Sequence, residues 1–440
     1  MKRMRMISEG ALARLRQGAT EAWRRQDYPQ YFKIMEQANR QDPANPGILL
    51  DMGAAYGMRY DYAAAAQCFD KAVRVAPSRS EVLVLAGTQC RGFDRYEMAR
   101  TYFERAVKEP GASADTFVKL AEIYERFRML DGAADMVARA LHMDPACALA
   151  SLVAARLDRL SGRLEESERR LRPLLAQTSR DSWSTRIRGW YELGAVLDAQ
   201  GRYDEAMSAF LEAKTMILPH ASHHIATQKL VQTRLNLATE KLDPQIIARW
   251  RTQPSDLPPT RLALLCGHPR SGTTLLEQVL DSHPDFVSAE ETSVFLRESF
   301  WTLLRGLPPD KLMLEILESA SPESLQTARR DYASCMAKFL GQPPGARMLI
   351  DKNPSLTGLV LAFIRIFPEA KLLVALRDPR DVCLSCFMQP LPMGQVSSIF
   401  LTLETTFQEY ASVMGLWRAA APALAGSFQE VRYEDLVRDL

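Results

Sequence analysis

The sequence lacks an excess of charge of either sign: 55 basic residues face 53 acidic ones over 440 positions. That near balance removes any global electrostatic argument for nucleic acid or an anionic membrane, so binding has to be local. It also lacks a run of about eighteen apolar residues, the length a membrane-spanning helix needs. The basic opening "MKRMRMISEGALARLRQG" has no continuous apolar core behind it, so it does not read as a secretory leader. The expectation is a soluble, cytoplasmic chain with no membrane span and no nucleic-acid partner.

A disulfide framework is missing as well. The seven cysteines, at 68, 90, 147, 266, 335, 383 and 386, are odd in number and unevenly spaced. Cys383 and Cys386 form a C-x-x-C in "CLSC", but no second pair accompanies them, and isolated buried thiols on a helix are the plainer reading. His220, His223 and His224 lack a carboxylate or cysteine partner in metal-ligand spacing, so they read as a solvated helix start and no metal is expected.

What the sequence does have is a repeat. Gly53 and Gly87 are 34 residues apart, as are Ala65, Ala99 and Ala133, then Ala72, Ala106 and Ala140, and Phe69 and Phe103. Tyr56 and Tyr124 are two periods apart, as are Pro77 and Pro145. This is the period of the tetratricopeptide repeat (TPR), in which small residues let antiparallel helices approach, an aromatic fills the groove and a proline stops the second helix. Apolar spacing alone would suit any helical bundle, but several positions hold one register through three units. A further unit, "WYELGAVLDAQGRYDEAMSAFLEA" at 190–213, resembles the consensus. Its Gly194 lies four periods plus five residues beyond Gly53, which predicts a short insertion near "QTSRDSWSTR". Residues 146–175 keep helical spacing with fewer signature residues, and 11–43 read as a worn first repeat. A solenoid of this kind offers a concave face to a protein or peptide partner. The predicted organisation is a helical-repeat domain over 11–215, a helical connector and proline-rich linker over 216–260 ending in "RTQPSDLPPTR", and a different domain over 261–440.

In that last domain the pattern changes to strand-length apolar runs, "LALLC", "RMLID", "KLLVALRD" and "FQEVRY", alternating with helices. Such alternation predicts an α/β domain with a mainly parallel, covered sheet, whose ligands bind where strand ends turn into helices. After the first run comes "GHPRSGTTLLEQVL". Its glycines permit a tight turn, and the amides of Ser271, Gly272, Thr273 and Thr274 at a helix start suit an anion. The hydroxyls of this turn and the Arg270 guanidinium add donors. A Walker loop would place lysine where Thr273 stands, and Asp351 is a poor candidate for a magnesium ligand, which argues against the alternative of an ATP-dependent kinase. A group of lower charge than a terminal phosphoryl can be held without metal, and sulfuryl transfer fits that description.

At this point the chain resembles a known family. "HPRSGTTLLEQVLDSHPDFVSAEET" is similar to the 5′-phosphosulfate loop of sulfotransferases that use 3′-phosphoadenosine 5′-phosphosulfate (PAPS), particularly the tyrosylprotein sulfotransferase branch and bacterial proteins in which TPR units precede such a domain. "LRDPRDVCLS" is similar to the 3′-phosphate segment, and "VRYEDLV", with Tyr433, to the late strand and helix that help enclose the nucleotide. The resemblance implies an N-terminal all-α TPR solenoid and a C-terminal P-loop-like α/β sulfotransferase domain that transfers a sulfuryl group from PAPS to a hydroxyl or phenol, with a protein tyrosine among the candidate acceptors, leaving PAP. It implies that Arg270, Ser271, Gly272, Thr273 and Thr274 hold the 5′-phosphosulfate and that Arg377 and Ser385 hold the 3′-phosphate. It also implies Glu290 as catalytic base, Lys352 as the cation steadying the transferred group and Arg270 at the leaving oxygen. Simpler readings stand beside these: Glu290 or Glu291 as a helix cap, Lys352 paired with Asp351, and Arg377 as part of a capping pair. His268 and His283 rank below Glu290 as bases. Ser293 stands where the tyrosylprotein branch has an arginine that receives an acidic peptide, which leaves the acceptor open. Family members continue past the equivalent of "YEDLVRDL" into a closing segment, so the domain reads as C-terminally short. The competing function is therefore a TPR interaction scaffold with an inactive or incomplete sulfotransferase domain.

Overall fold

A computed structural model describes residues 9–176, 183–252, 260–308, 311–391, 394 and 396–439. Most of the expected insertion near 177–186 and of the linker at 251–261 lies outside the described residues. The chain divides into two units, Met1–Ala209 and Phe210–Leu440.

The first unit is built from consecutive helix pairs: Glu9–Arg24 with Tyr28–Gln41, Pro46–Met58 with Tyr62–Val75, Arg79–Gly92 with Tyr96–Ala106, Ala114–Arg126 with Leu130–Met143, and Ala148–Leu160 with Leu164–Ala176. The signature residues do the packing expected of them. Ala65, Ala72, Ala99, Ala106, Ala133, Ala140, Phe69 and Phe103 are all fully buried, and Phe103 lies so close to Gly87 that a Cβ there would come within 2.8 Å of its ring. The helix before Pro77 stops at Val75 and the one before Pro145 at Met143.

The backbone carries the period further than the side chains do. Gln26, Tyr60, Asp94 and Arg128 all have positive φ, and Gly162 continues the same 34-residue spacing. Each sits in the turn between the two helices of a pair, so the pairs flanking Gln26 and Gly162, weak in signature residues, have the same turn as the rest. The next such residue, Gly201, lies five residues beyond the period, in the turn between Trp183–Ala199 and Tyr203–Ile217. Three tyrosines also follow the period, each under a guanidinium: Arg59 stacks over Tyr28 at 4.0 Å, Arg95 over Tyr62 at 4.0 Å and Arg126 over Tyr96 at 3.7 Å. The helix after the insertion is tied back by charge, since the almost buried Glu192 takes Arg156 at 3.1 Å and Arg159 at 2.5 Å. A carboxylate so removed from water has to be paired, which fixes the register of this unit against its neighbour.

The second unit contains, among the described residues, five parallel strands: β1 (Leu262–Gly267), β2 (Phe286–Glu290), β3 (Met348–Lys352), β4 (Lys371–Leu376) and β5 (Phe428–Arg432), in the order β2-β3-β1-β4-β5. Every residue of β1 is buried, as a central strand covered on both faces requires. The expected runs form β1, β3, β4 and β5. β2 is an addition: "FVSAE" is a short edge strand whose polar positions gave no apolar run to recognise. The register pairs Glu290 with Lys352, Gly267 with Ala375, and Leu376 with Arg432. The carboxyl ends of all five strands therefore come out along one edge. The helices Ser222–Glu240 and Pro244–Thr252 belong to this unit, and His220 and His223 are exposed at or just before the start of the first. No helix among the described residues is long and apolar enough to cross a membrane.

The tight fit at Gly87 gives a direct test. Gly87→Val is expected to lose about 1–3 kcal/mol through overpacking against Phe103, whereas Gly92→Ala, in a helix with nothing within 4 Å of the added carbon, should stay at or above wild-type stability. Urea denaturation of both variants checks this, and equal losses would contradict the packing assigned to the repeat.

Candidate functional site

At the end of β1 the chain turns through residues 268–272 into the helix Thr273–Asp281. The turn is made possible by Gly267 (φ 134°), which packs against the Ala375 carbonyl, and by Gly272 (φ 91°), where a Cβ would sit 2.5 Å from the Tyr433 ring. Arg270, with φ 73°, occupies the left-handed region without being glycine. Such a conformation costs free energy and persists because the surroundings impose it. Gly272 is the cap residue before Thr273, so the free amides of the first helical turn open at this point. Thr357, fully buried, bonds both the N–H (2.8 Å) and the carbonyl (2.5 Å) of Gly267 and so fixes the strand end that feeds the loop.

Two arginines flank the turn. Arg270 Nε donates to Ser385 Oγ at 3.0 Å. Arg377, directly after β4, reaches the Arg270 carbonyl at 3.5 Å, lies over the Tyr433 ring at 4.7 Å and approaches Asp381 at 3.4 Å. Its Nε is buried with no hydrogen-bond partner. Ser385 stands on the helix Pro379–Phe387, capped by Asp378. Thus Arg270, Ser385, Arg377, Tyr433 and Gly272 are brought together by contacts from three strand ends. An orphaned buried donor, two guanidiniums and a free helix start fit a doubly anionic ligand better than they fit one another.

On the other side of β1 stands Lys352, the last residue of β3, with a side chain that is 0% exposed. Its ammonium has three carboxylates around it, Glu291 at 3.0 Å, Glu277 at 3.2 Å and Glu290 at 3.6 Å, and also donates to Thr274 Oγ1 at 3.3 Å. Burial works against its charge, but the bonds to Glu291 and Glu277 outweigh that and hold its pKa above the ordinary lysine value. Burial pushes the Glu277 carboxyl upward, opposed by the Ser288 hydroxyl and by Lys352. Glu290 and Glu291 remain mostly exposed, and Glu291 has φ 42°. Lys352 thus pairs with these three and not with Asp351, whose side chain is fully buried and accepts from Tyr332 Oη at 2.9 Å. Glu277 was not singled out in the sequence because a glutamate in "TTLLEQVL" looks like the solvated face of a helix.

The histidines serve other ends. His268 is buried against Cys386 and the Tyr410 ring, and burial pushes its imidazole down to about 4 against a bond to the Pro269 carbonyl. His283 accepts from the Asp285 amide and packs edge-on against Phe286. Cys383 and Cys386 are both buried, with thiols pushed up by burial to about 11 and about 12. Among the described residues no cluster of His, Cys, Asp and Glu could hold a metal ion.

Comparison with known proteins agrees with this arrangement in class. Residues 263–440 match the sulfotransferase family and residues 187–217 match the tetratricopeptide repeat. The C-terminal region is thus similar to sulfotransferases, and a stretch similar to the tetratricopeptide repeat precedes it. Among its relatives, protein-tyrosine sulfotransferase 1 of Mus musculus is 32% identical over 133 residues, covering 29% of this chain and 34% of that protein. The protein-tyrosine sulfotransferase of Drosophila melanogaster is 33% identical over 124 residues, covering 27% and 23%. An uncharacterised protein of Aquifex aeolicus is 24% identical over 264 residues, covering 58% and 33%. The chain spans about a third or less of the length of these relatives.

The Asp351 carboxyl supplies a pH test of the buried side of β3. Burial raises it to about 7, against the bond from Tyr332. The folded state therefore holds an extra proton between the ordinary carboxyl value and about 7, and that stabilisation is full below about pH 4 and lost as pH rises to about 7. Asp351→Asn lacks this titration, so its stability relative to wild type should rise across that window in thermal denaturation. A gap that does not change with pH would contradict the assignment.

Proposed function

We propose that the C-terminal domain transfers a sulfuryl group from PAPS to an acceptor oxygen. The observation that carries the reading is the cage of Arg270, Ser385, Arg377 and Tyr433 around a helix start, set beside a charged, buried lysine. The amides of Ser271, Gly272, Thr273 and Thr274 and the Arg270 side chain hold the 5′-phosphosulfate end. Arg377 and Ser385 hold the 3′-phosphate, with Tyr433 against the loop. PAPS, when bound, supplies the sulfuryl group and leaves as PAP. Lys352 offsets charge developing on the transferred oxygens, and Arg270 faces the leaving oxygen. An exposed carboxylate next to that ammonium takes the acceptor proton. Glu290 is the expected base. The geometry gives Glu291 a second claim, because it makes the shorter bond to Lys352 and holds a left-handed backbone that aims its side chain.

The acceptor is a hydroxyl or phenol. A protein tyrosine is the candidate favoured by the names of the relatives, and the repeats are assigned to binding a protein or peptide partner. The seven free cysteines suit a reducing compartment such as the cytoplasm.

Calorimetric titration with PAP, without magnesium, is expected to give micromolar binding that weakens at least about tenfold in Arg377→Ala, the scale of one lost charge-assisted contact. In transfer of labelled sulfate from PAPS to a panel of phenol, peptide and saccharide acceptors, the variant that removes the base, Glu290→Gln or Glu291→Gln, should fall by about 10²–10⁴ in rate. Magnesium-dependent ATP binding with none to PAP would replace the reading by a kinase. Retained partner capture with neither nucleotide bound would replace it by an interaction scaffold.

A further inference from the structure

Lys352 is served by two kinds of carboxylate. Glu290 and Glu291 are 63% and 56% exposed in their side chains, so each can turn into water at little cost. Glu277 is only 8% exposed, sits on the helix Thr273–Asp281 that the anion loop feeds, and is held at both ends. One oxygen meets Lys352 and the other accepts from the Ser288 hydroxyl. Ser288 is itself fixed, since its N–H donates to Asp281 Oδ1 at 2.8 Å.

An anionic group that approaches Lys352 competes with the carboxylates already there. The two exposed ones can leave, and the buried one cannot without stranding a charge. A fully buried ammonium that lost all three would have no counter-charge within ion-pair distance among the described residues. We propose that Glu277 is the positioning residue of this site: it keeps Lys352 charged and aimed at the transferred group, while Glu290 and Glu291 give way to substrate and one of them takes the acceptor proton. This deepens the sulfuryl-transfer reading and rests on it.

Few other titratable groups face Lys352. The paired strand β1 carries the buried Cys266, β2 carries Glu290 with Glu291 just after it, and the helix carries Glu277 and the exposed Asp281. On β3 itself Asp351 is bonded to Tyr332 from the helix Pro322–Leu340. The effect of Glu277 can therefore be isolated by removing the two exposed carboxylates.

The test is the titration of Lys352 followed by NMR of protein labelled at the lysine ε-carbon, the resonance being identified by its loss in Lys352→Met. In the Glu290→Gln, Glu291→Gln double variant, Lys352 should still titrate close to or above an ordinary lysine. Adding Glu277→Gln should lower the midpoint by about one unit or more, the effect of losing one neighbouring opposite charge. Ser288→Ala, which frees one end of Glu277 without removing its charge, should shift it the same way by less, and serves if the triple variant does not fold. A midpoint that ignores Glu277 overturns the proposal. As a second readout, the preference for PAPS over PAP, which reports the contact to the sulfuryl group, should be lost at a lower pH in Glu277→Gln than in wild type, with PAP affinity changed less than about twofold. If PAP binds normally and that pH limit does not move, only the role of Glu277 falls. If wild type binds neither nucleotide, the sulfuryl-transfer reading falls and the proposal with it.

Discussion

A lysine side chain with no exposure to water stays charged only if counter-charges come with it, and this constraint organises the C-terminal domain. Lys352 ends β3, and its partners arrive from the neighbouring edge strand and from the helix after the anion loop. The parallel register sets Glu290 opposite Lys352, and the chain leaves β2 through the left-handed Glu291. The same helix start whose first-turn amides are free carries Glu277 a turn later. Loop, edge strand and lysine are therefore joined in one electrostatic unit.

Across β1 the opposite problem is solved. Two arginines flank one turn, Arg270 on Ser385 and Arg377 over Tyr433. The buried Nε of Arg377 without a partner is costly to leave unmet. Such an arrangement is accounted for when an anion completes it. The strained backbone at Arg270 fits the same account, because strain at a functional turn is sustained by contacts on either side, here the Gly267 and Gly272 positions.

Much of this was legible in the sequence, because repeat period and motif order are properties of the sequence itself. The 34-residue spacing of Gly53 and Gly87 predicted the packing against Phe69 and Phe103, and the strand-loop-helix context of "GHPRSGTT" predicted the turn. What escaped depends on pairing. β2 is too short and too polar to read as a strand, and only its register with β3 reveals why adjacent glutamates flank one lysine. Glu277 reads as helix surface until β2 covers it. The left-handed turns at Gln26, Tyr60, Asp94 and Arg128 likewise carry no glycine to announce them, although their spacing extends the repeat into units with weak signatures.

The central claim, that the turn after β1 and the segment after β4 form one nucleotide site, is tested most directly by a diffraction structure of the protein crystallised with PAP. The account predicts the 5′-phosphate on the amides of Ser271 to Thr274 and the 3′-phosphate between Arg377 and Ser385, with the Arg270 to Ser385 bond opened or shared. PAP bound elsewhere, or a loop that stays closed on its own side chains at saturating PAP, would contradict it.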